Sequence, residues 1–587
     1  MKMKFKRLPV GISDFKDVVT GKYYYVDKTL FIKEIIDKGN KVLLIPRPRR
    51  FGKTLNLSMV GYFYDCCPEE VFPDDEGRYP SNKNDMPRNS YKALFKSFAI
   101  RKAGTEYRKK MGKHPVIYLS FRSLKDSDWE TCLGKIKYLI KSEYLKHKYL
   151  LSSPKLEPEE KDYFKKIIES RGDKGDYENS LQMLMIYLSR FYEERVVILI
   201  DEYDTPVHAG YYNDYYEIII GFMRNFLCAA LKDTDKYLEK SVITGILRIA
   251  KESIFSGLNN PGIFTLTADE FSDGFGFTEK EIETLLTDFN LLDLYNDIRK
   301  WYNGYMFGGK TIYNPWSIIS LLESNTHELQ PYWINTSDNK LVEILLSKGG
   351  KELKEELEQL IRGESIEKYI DDNIVMRDIS TRDDLLWSFL LMSGYLKYTD
   401  YKMNDSQELY YTLSIPNFEV KFIYRNIIRN YFSSKMEARK LDIMLKALIE
   451  GDVVLFEEKF QDLVALVFSY HDFGGEPEKV YHAFVTGLLV WISGTHEVRS
   501  NRESGYGRYD IMVIPGNPAQ TGYVIEFKSV NKRRGETVQA AIESALLQIE
   551  EKRYEMELIE RGIRNIKKLA IVFDGKDVCV KESQSHS

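Results

Sequence analysis

A basic stretch, "RPRRFGKTLN" at residues 47–56, follows the apolar run "KVLLI" and leads into a helical pattern. Its second half, Gly-Lys-Thr, has the form of the end of a phosphate-binding loop, where Lys53 and Thr54 would begin a helix. The full pattern G-x-x-x-x-G-K-S/T requires glycine where this chain has Arg47. The alternative to a nucleotide site is therefore a basic turn that contains Gly-Lys-Thr by chance.

An acidic pair at the end of a second apolar run favours the nucleotide site. Asp201 and Glu202 directly follow "VVILI". In such a site Lys53 would reach the β- and γ-phosphates, Thr54 would ligate Mg²⁺, and Asp201 would hold the same ion through water. Glu202 would polarise the attacking water. The sequence thus predicts a strand–loop–helix site for ATP and Mg²⁺.

The remaining loop residues are assigned less sharply. Pro46 and Pro48 stiffen the approach, so the loop is expected to enter by a different backbone route. Arg49 and Arg50 either add positive charge beside the phosphates or face solvent. Together with Phe51 and Gly52, these two arginines complete the set of residues that we expect at the ATP.

A second constellation lies near the carboxyl terminus, in "GRYDIMVI" and "YVIEFKSV". Asp510 begins one expected strand, and Glu526 and Lys528 lie two apart on the next, so they share a face. Neighbouring strands would bring the three side chains together. Asp510, Glu526 and the carbonyl of Phe527 would hold Mg²⁺ or Mn²⁺, while Lys528 would orient a water or stabilise the transition state of phosphodiester hydrolysis. Glu-x-Lys alone is common on surface strands, so the evidence lies in the combination.

The elements that must position these residues follow from the periodicity. "KVLLI", "PVIYLSF", "RVVILID" and "SVITGIL" have the continuous apolar character of buried parallel strands, separated by stretches long enough for crossover helices. A doubly wound α/β domain is expected over residues 1–262. Residues 73–90 are polar and carry proline, so they are expected in a surface loop.

Beyond residue 262 the strand signal weakens. Thr278 with Glu281 forms a capping box, and Asn314 followed by Pro315 begins a second helix. We expect a mostly helical lid or winged-type domain at 263–400, a mixed connecting region at 401–475, and an αβββαβ domain at 476–587. The aromatic motifs "WYNGY" and "YNPWSI" could pack a lid on the nucleotide, but core aromatics with a capped helix are the preferred interpretation.

Composition limits the classes of function. The chain has 587 residues, enough for two to four domains, and a net charge of -4, so any contact with nucleic acid must come from local basic patches. Five cysteines without a C-x-x-C pair argue against a disulfide framework or a structural zinc site and for a reducing compartment. No segment has the form of a signal peptide or membrane span, and the apolar stretch "VYHAFVTGLLVWISG" is expected to be a buried helix. We expect a cytoplasmic location.

Several motifs together resemble the bacterial and archaeal AAA-ATPase-like family, in which an ATPase module precedes a PD-(D/E)XK nuclease module. They are "PVGISDFKDVV", "YYYVDKTLFIKEII", "RPRRFGKTL", "VILIDEYDTPV", "ITGILRIAKESIFSGLNN", "WYNGYMFG" and "YNPWSI". The resemblance implies a P-loop ATPase core, a helical lid and a restriction-endonuclease-like domain. An Arg-for-Gly loop is usual in that family, so Arg47 does not imply an inactive site.

The resemblance also suggests roles for further residues. Thr244 would end a sensor-type strand, and Arg248 would be a γ-phosphate sensor or arginine finger, with an ordinary arginine at a helix start as the alternative. Gln548 and Tyr554 match the Q-x-x-x-x-x-Y element of several nucleases of the superfamily, and Gln548 joins the catalytic set. The "NKRRG" turn could add a phosphate-binding edge or simply be solvated. Glu503 and His482 are possible helpers, although His482 is more simply structural.

Two functions are consistent with these patterns. The preferred one is an ATP-dependent nuclease acting on nucleic acid, with DNA as the first expectation, and with a possible role in genome defence or mobile-element biology. Such a protein could form homo-oligomers. The alternative is a STAND-type signalling ATPase whose carboxyl-terminal domain binds nucleic acid or a partner without cleavage. The complete set of Asp510, Glu526 and Lys528 favours the first.

Overall fold

The structure is a computed structural model, and it divides the chain into two compact units. The first comprises Met1–Ser337 and Glu367–Glu419, and the second Asp338–Ile366 and Val420–Ser587. The four-part division expected from the sequence stays a prediction. The structure describes residues 7–68, 71–73, 77–87, 91–248, 261–333, 351–373, 376, 379, 382–433, 437–467, 485, 488–489, 496–530 and 535–583.

The described strands and helices are numbered separately in chain order. The strands are β1 (Val42–Pro46), β2 (Val116–Ser120), β3 (Val196–Asp201), β4 (Leu238–Gly245), β5 (Gly262–Ile263), β6 (Phe277–Thr278), β7 (Tyr305–Phe307), β8 (Lys310–Tyr313), β9 (Ile366–Tyr369), β10 (Lys397–Met403), β11 (Leu409–Ser414), β12 (His496–Ser504), β13 (Gly507–Pro515), β14 (Gly522–Ser529), β15 (Ile566–Asp574) and β16 (Asp577–Glu582).

The α-helices are α1 (Phe15–Thr20), α2 (Leu30–Asp37), α3 (Lys53–Tyr64), α4 (Thr105–Arg108), α5 (Trp129–Lys146), α6 (Pro158–Ile168), α7 (Lys174–Tyr192), α8 (Thr205–Tyr212), α9 (Tyr216–Leu231), α10 (Glu279–Asp288), α11 (Tyr295–Tyr302), α12 (Pro315–Glu323), α13 (Lys351–Arg362), α14 (Asp383–Met392), α15 (Phe418–Ser433), α16 (Ala438–Glu450), α17 (Val453–Val467), α18 (Val538–Lys552) and α19 (Met556–Glu560). Short 3-10 turns lie at Lys83–Asp85, Tyr91–Phe95, Ala99–Lys102, Lys148–Ser152 and Leu292–Leu294.

A five-stranded parallel sheet forms the centre of the first unit, in the order β2-β3-β4-β1-β5. The four apolar runs of the sequence correspond to β2, β3, β4 and β1, and the expected parallel α/β sheet is therefore confirmed. β1 and β3 are buried along their whole length because helices cover both faces of such a sheet. The carboxyl ends of β1, β3 and β4 meet at one edge, where both the loop and the acidic pair lie.

The region expected to be mostly helical, residues 263–400, also contains strands, which belong to two small sheets. One has the order β6-β8-β7 and the other β10-β11-β9. Strands β7 and β8 are joined at Gly308 and Gly309, whose φ angles of 49° and 73° suit the tight turn of a hairpin. The strands of the first of these sheets have only two to four residues, too few for an alternating pattern to be seen, whereas β10 and β11 lie mostly in the part of the chain that was expected to be mixed. The predicted helix starts are present: Thr278 and Glu281 form the capping box, and Asn314 caps α12.

The second unit is built on a mixed five-stranded sheet in the order β12-β13-β14-β15-β16. Only β14 and β15 pair in parallel within it, through the crossover that contains α18. Three strands and a helix before β15 were expected from the sequence, whereas β16 was not. One face of the sheet shares its core with α16 and α17, through buried side chains that include Leu441, Leu448, Phe456, Phe460, Ile525, Phe527 and Phe573.

Further sequence expectations concern membranes and cysteines. None of the helices in the described ranges combines the length and apolar character that crossing a bilayer requires. Most of the apolar stretch at 480–494 lies outside the described residues, but Val485, Leu488 and Leu489 are buried in the core of the second unit. No disulfide joins any of the five cysteines, all of which lie in the described ranges.

Candidate functional site

The candidate phosphate-binding loop of the first unit leaves β1 at Pro46 and ends where α3 begins, at Lys53. Arg50 and Gly52 have φ angles of 70° and 85°, so the backbone is left-handed at two places in the loop. Glycine takes that conformation without strain, whereas arginine takes it only rarely. The loop therefore presents the first N–H groups of α3 at the edge of the sheet, which is a favourable place for phosphate.

Thr54 and Asp201 are brought together by this arrangement. The Thr54 hydroxyl donates to Oδ2 of Asp201 at 2.8 Å, and the Thr244 hydroxyl donates to Oδ1 at 2.7 Å. Burial raises the pKa of the Asp201 carboxyl, although both hydroxyl bonds act in the opposite direction. A hydroxyl and a carboxylate in contact at the start of the loop helix are suitable ligands for Mg²⁺, so these residues fit the expected ion.

Lys53 is buried within the loop. Its ammonium donates to the carbonyl oxygens of Arg47 and Pro48, at 2.9 Å in each case. Burial lowers the pKa of this lysine, and the nearby carboxylates of Glu202 and Asp201 partly offset that effect. The ammonium thus lies inside the loop against two neutral acceptors, which phosphate oxygens could replace through stronger, charge-assisted bonds.

Arg47, in the place of the first loop glycine, is an internal anchor. Its side chain is fully buried and donates to the carbonyls of Pro46 and Phe264 at 2.8 Å and of Phe271 at 3.1 Å. The guanidinium also lies 5.4 Å from the ring centres of Phe275 and Phe307, and burial lowers its pKa to about 9. Arg47 therefore fixes the backbone of the loop from its buried side.

The other loop side chains differ in their surroundings. Phe51 is buried against Tyr305, 4.9 Å between ring centres, so only its backbone is available to a nucleotide. The guanidinium of Arg50 stacks 4.4 Å above the ring of Trp316, at the start of α12. Burial lowers the pKa of Arg50, and the positive charges of Arg122 and Arg49 lower it further. Arg122 and Trp316 are thus site neighbours that the sequence analysis did not assign, although Trp316 belongs to the quoted "YNPWSI" motif.

Glu202 lies at a strained position directly after β3. Its φ angle is 52°, a left-handed conformation that costs a non-glycine residue free energy and that recurs at functional sites. Oε2 of Glu202 accepts a 3.2 Å bond from the Thr205 hydroxyl. The backbone turn therefore directs the glutamate away from the path of the strand, beside Asp201.

Asp204, three residues after Asp201, connects this turn to the segment that follows β4. Its Oδ2 accepts the backbone N–H groups of Ile246 at 2.7 Å and Leu247 at 2.9 Å. The Tyr203 hydroxyl donates to the Leu247 carbonyl at 2.9 Å. The sequence analysis missed this connection, and the only available signal was the extra aspartate in "DEYD".

Arg248 follows that segment directly. One terminal nitrogen of its guanidinium lies 3.3 Å from Oδ1 of Asp372, in the same unit. The side chain is partly buried, and residues 249–260, which follow it, lie outside the described ranges. Arg248 thus lies directly after the segment that Asp204 holds in place. Its role as a sensor stays a prediction.

The second group of predicted residues comes together in the second unit. Pairing between β13 and β14 extends to Ile511 opposite Ile525, and beyond it Oδ2 of Asp510 accepts the N–H of Phe527 at 2.8 Å. The carboxylate of Asp510 thus replaces a backbone acceptor where the strands separate. This contact brings Asp510 beside Glu526 and the carbonyl of Phe527.

Gln548, on α18, connects the other two members. Its amide nitrogen donates to Oε1 of Glu526 and lies 3.3 Å from the Tyr554 hydroxyl, while its amide oxygen accepts from Lys528 at 2.9 Å. Nζ of Lys528 is 3.6 Å from Oε1 of Glu526. One amide therefore holds a carboxylate and an ammonium in fixed relation.

Glu526 has the properties of a cation ligand. It is 2 % exposed, and its Oε2 is buried with no hydrogen-bond partner among the described residues. Burial raises the pKa of Glu526 to about 8, and the negative charge of Asp510 raises it in the same direction. A buried and a half-buried carboxylate that repel each other fit a hard divalent cation, such as Mg²⁺ or Mn²⁺, which the Phe527 carbonyl would also ligate.

His482 and the basic residues of the turn at 531–534 lie outside the described ranges, and so does the side chain of Glu503.

Comparison with known proteins gives two family matches. Residues 9–74 and 82–255 match the AAA-ATPase-like model, described as "Predicted AAA-ATPase", and residues 476–583 match the PD-(D/E)XK nuclease superfamily. The chain is also similar to a protein of Azotobacter chroococcum mcd 1, named "Uncharacterized protein in vnfD 5'region", at 26% identity over 541 residues. The alignment covers 90% of each chain.

Proposed function

We propose that this chain, which joins an AAA-ATPase-like domain to a domain of the PD-(D/E)XK nuclease superfamily, is a nuclease that cuts DNA under the control of ATP. The observation that carries the proposal is the hydrogen-bonded group of Asp510, Glu526, Lys528 and Gln548, in which two carboxylates and a lysine converge. A domain that only bound nucleic acid would have no need of two carboxylates that repel each other, one of them buried.

At the ATP site, Lys53 would exchange the loop carbonyls for the β- and γ-phosphate oxygens. Thr54 and Asp201 would hold Mg²⁺, which offsets phosphate charge when bound. Glu202 would accept a hydrogen bond from the attacking water and orient it. Arg49 and Arg50 would add positive charge beside the phosphates, and Arg248 would distinguish ATP from ADP.

At the nuclease site, Asp510, Glu526 and the Phe527 carbonyl would hold Mg²⁺ or Mn²⁺. The ion would lower the pKa of water and offset charge on the scissile phosphate. Lys528 would donate to the water or to the phosphate oxygen that gains charge. Gln548 is a positioning residue, because it holds Glu526 and Lys528 in register.

The biological setting is part of the same proposal. Genome defence or mobile-element biology would make use of a nuclease that acts only after an ATP-driven switch. A cytoplasmic location, which the free cysteines favour, and assembly into homo-oligomers are proposed with it.

The test is incubation of the purified protein with linear, circular and single-stranded DNA, with and without ATP and Mg²⁺. We expect Mg²⁺-dependent cutting whose rate changes with ATP and which Asp510→Ala abolishes. Asp577→Ala is the matched control, because this exposed aspartate in the same unit is the first residue of β16, directly after the turn that follows β15.

Two outcomes would contradict the proposal. Cutting that persists in Asp510→Ala would mean that the assigned residues are wrong. A parent protein that binds ATP but leaves every nucleic acid intact under all conditions would favour the signalling ATPase.

A further inference from the structure

The turn between β12 and β13 is held rigidly against the end of α18. Gly505, with a φ angle of 59°, lies so close to this helix end that an added Cβ would be 2.2 Å from the Lys552 carbonyl oxygen. The N–H of Tyr506 donates to the same oxygen at 2.7 Å, and the Ser504 hydroxyl donates to the Tyr554 carbonyl at 2.8 Å. Only glycine fits at this close approach, so the turn is built for contact with the helix.

This turn adjoins the nuclease centre. A Cβ added at Gly507 would lie 3.3 Å from the Tyr554 hydroxyl oxygen. That hydroxyl lies 3.3 Å from the amide nitrogen of Gln548, which in turn donates to Glu526. The turn is therefore separated from the Glu526 carboxylate by only two side chains.

The surface of the turn combines one aromatic ring with positive charge. The Tyr506 side chain is 72 % exposed although its backbone is fixed. Arg508, at the start of β13, is exposed, and so are Lys552 and Arg553 at the helix end that supports the turn. Aromatic rings on which bases stack, beside cations that follow the phosphates, are the usual means of binding single-stranded nucleic acid. In a duplex both faces of each base are already stacked, so stacking on an exposed ring contributes less binding free energy there.

We propose that Ser504–Arg508 and Lys552–Arg553 form a strand-binding lip, which holds single-stranded nucleic acid beside the nuclease centre. Tyr506 stacks on an unpaired base, and Arg508, Lys552 and Arg553 contact the phosphates. The substrate of the centre is then single-stranded DNA or RNA, or a duplex with a frayed or gapped segment. This inference rests on the proposed nuclease function for its consequence but can be tested through binding alone.

The binding experiment uses the full chain carrying Asp510→Ala, so that no substrate is cut during titration. Labelled single-stranded DNA, single-stranded RNA and blunt duplex DNA of one sequence are titrated by fluorescence anisotropy. We expect Tyr506→Ala to weaken single-strand binding about tenfold, as for loss of one stacked base, and Tyr506→Trp to preserve it. Arg508→Ala should reduce the slope of the logarithm of the binding constant against the logarithm of the salt concentration by about one, because one phosphate contact is lost. The DNA and RNA arms identify the preferred strand.

A matched control is Tyr138→Ala, since Tyr138 is 71 % exposed on α5 in the other unit. Unchanged single-strand binding in Tyr506→Ala, equal losses for duplex and single strand, or an equal loss in the control would each overturn the lip. So would a parent protein that binds no nucleic acid. If the Tyr506 effect is found but the otherwise unaltered chain cuts nothing, the lip stands and the nuclease function fails. If the otherwise unaltered chain cuts while Tyr506→Ala binds single strands as tightly as the parent, the nuclease function stands and the lip fails.

Discussion

The hydroxyl of Thr54 donates a 2.8 Å hydrogen bond to the carboxylate of Asp201, a residue 147 positions further along the chain. This bond joins the first turn of α3 to the end of β3. The bond therefore fixes the distance between the loop and the acidic pair. In the proposed site both partners would also be ligands of one Mg²⁺ ion.

We expect Lys53→Ala to abolish ATP binding and Glu202→Gln to preserve it while blocking turnover. Lys53 supplies the charge that meets the phosphates, whereas Glu202 acts on water. Titration with labelled ATP and a phosphate-release assay distinguish the two effects. A Lys53→Ala protein that binds ATP as well as the parent would show that the site is assigned wrongly.

Arg248→Ala should bind ATP and ADP with less discrimination than the parent, because Arg248 is expected to contact the γ-phosphate. Asp204→Ala should have a similar effect, since it removes the acceptor that holds Ile246 and Leu247. Asp204→Asn, which retains an acceptor oxygen, should recover part of the discrimination. The measurement is the ratio of the dissociation constants for ATP and ADP. If Arg248→Ala and the parent have the same ratio, Arg248 has no part in the mechanism.

Binding of ATP should change the fluorescence of Trp316. Its ring lies under the guanidinium of Arg50, and phosphate oxygens would compete for that guanidinium through charge-assisted hydrogen bonds. The change in intrinsic emission on adding ATP should therefore be lost in Trp316→Phe and in Arg50→Ala. Trp129→Phe, on α5, is the control. A signal that persists without Trp316 would place the responding tryptophan elsewhere.

Asp510→Ala and Lys528→Ala should separate metal binding from cleavage. The first removes an oxygen ligand, so both metal occupancy and cutting should fall. The second leaves the carboxylates in place, so metal should still bind while cutting falls by roughly a hundredfold, as for loss of one preorganised donor. Calorimetric titration with Mn²⁺ and a cleavage assay give the two readouts. Equal losses of metal affinity in both variants would contradict the assigned roles.

Glu419→Gln should flatten the dependence of stability on pH. Burial raises the pKa of the Glu419 carboxyl to about 7, although the Trp333 N–H and the Ser317 hydroxyl donate to it. Because the folded-state pKa exceeds its ordinary value of 4.5, the contribution of this group is present below pH 4.5 and is lost as the pH rises through 7. The parent should lose on the order of 3 kcal/mol over this range from this group, and the variant almost none.

The measurement for this prediction is the unfolding free energy from urea titrations at a series of pH values. Glu323→Gln on α12 is the control, because Glu323 is exposed. Parallel pH profiles of the parent and Glu419→Gln would contradict the prediction.

The sequence predicted the parallel architecture of the first sheet. It also singled out the two groups of side chains that the structure brings together, whose chemical roles stay predictions. Continuous apolar runs predicted β1 to β4, and the order of strands and helix around Glu526 predicted most of the second sheet. These signals are local, since periodicity and caps depend on neighbours in the chain. The burial of Arg47 and the hydrogen bonds from the segment after β4 to Asp204 were not predictable in this way. Their partners, Phe264 and Ile246, lie 217 and 42 residues away.

The buried Arg47 also limits how this loop can evolve. A glycine at position 47 would leave the carbonyls of Phe264 and Phe271 without their donor and would empty the space between Phe275 and Phe307, so the change alone would be destabilising. Conversion to a glycine loop needs compensating substitutions more than two hundred residues away, which makes the two segments epistatic. Any search for nucleotide loops that insists on glycine at the first position would pass over chains that have taken this route.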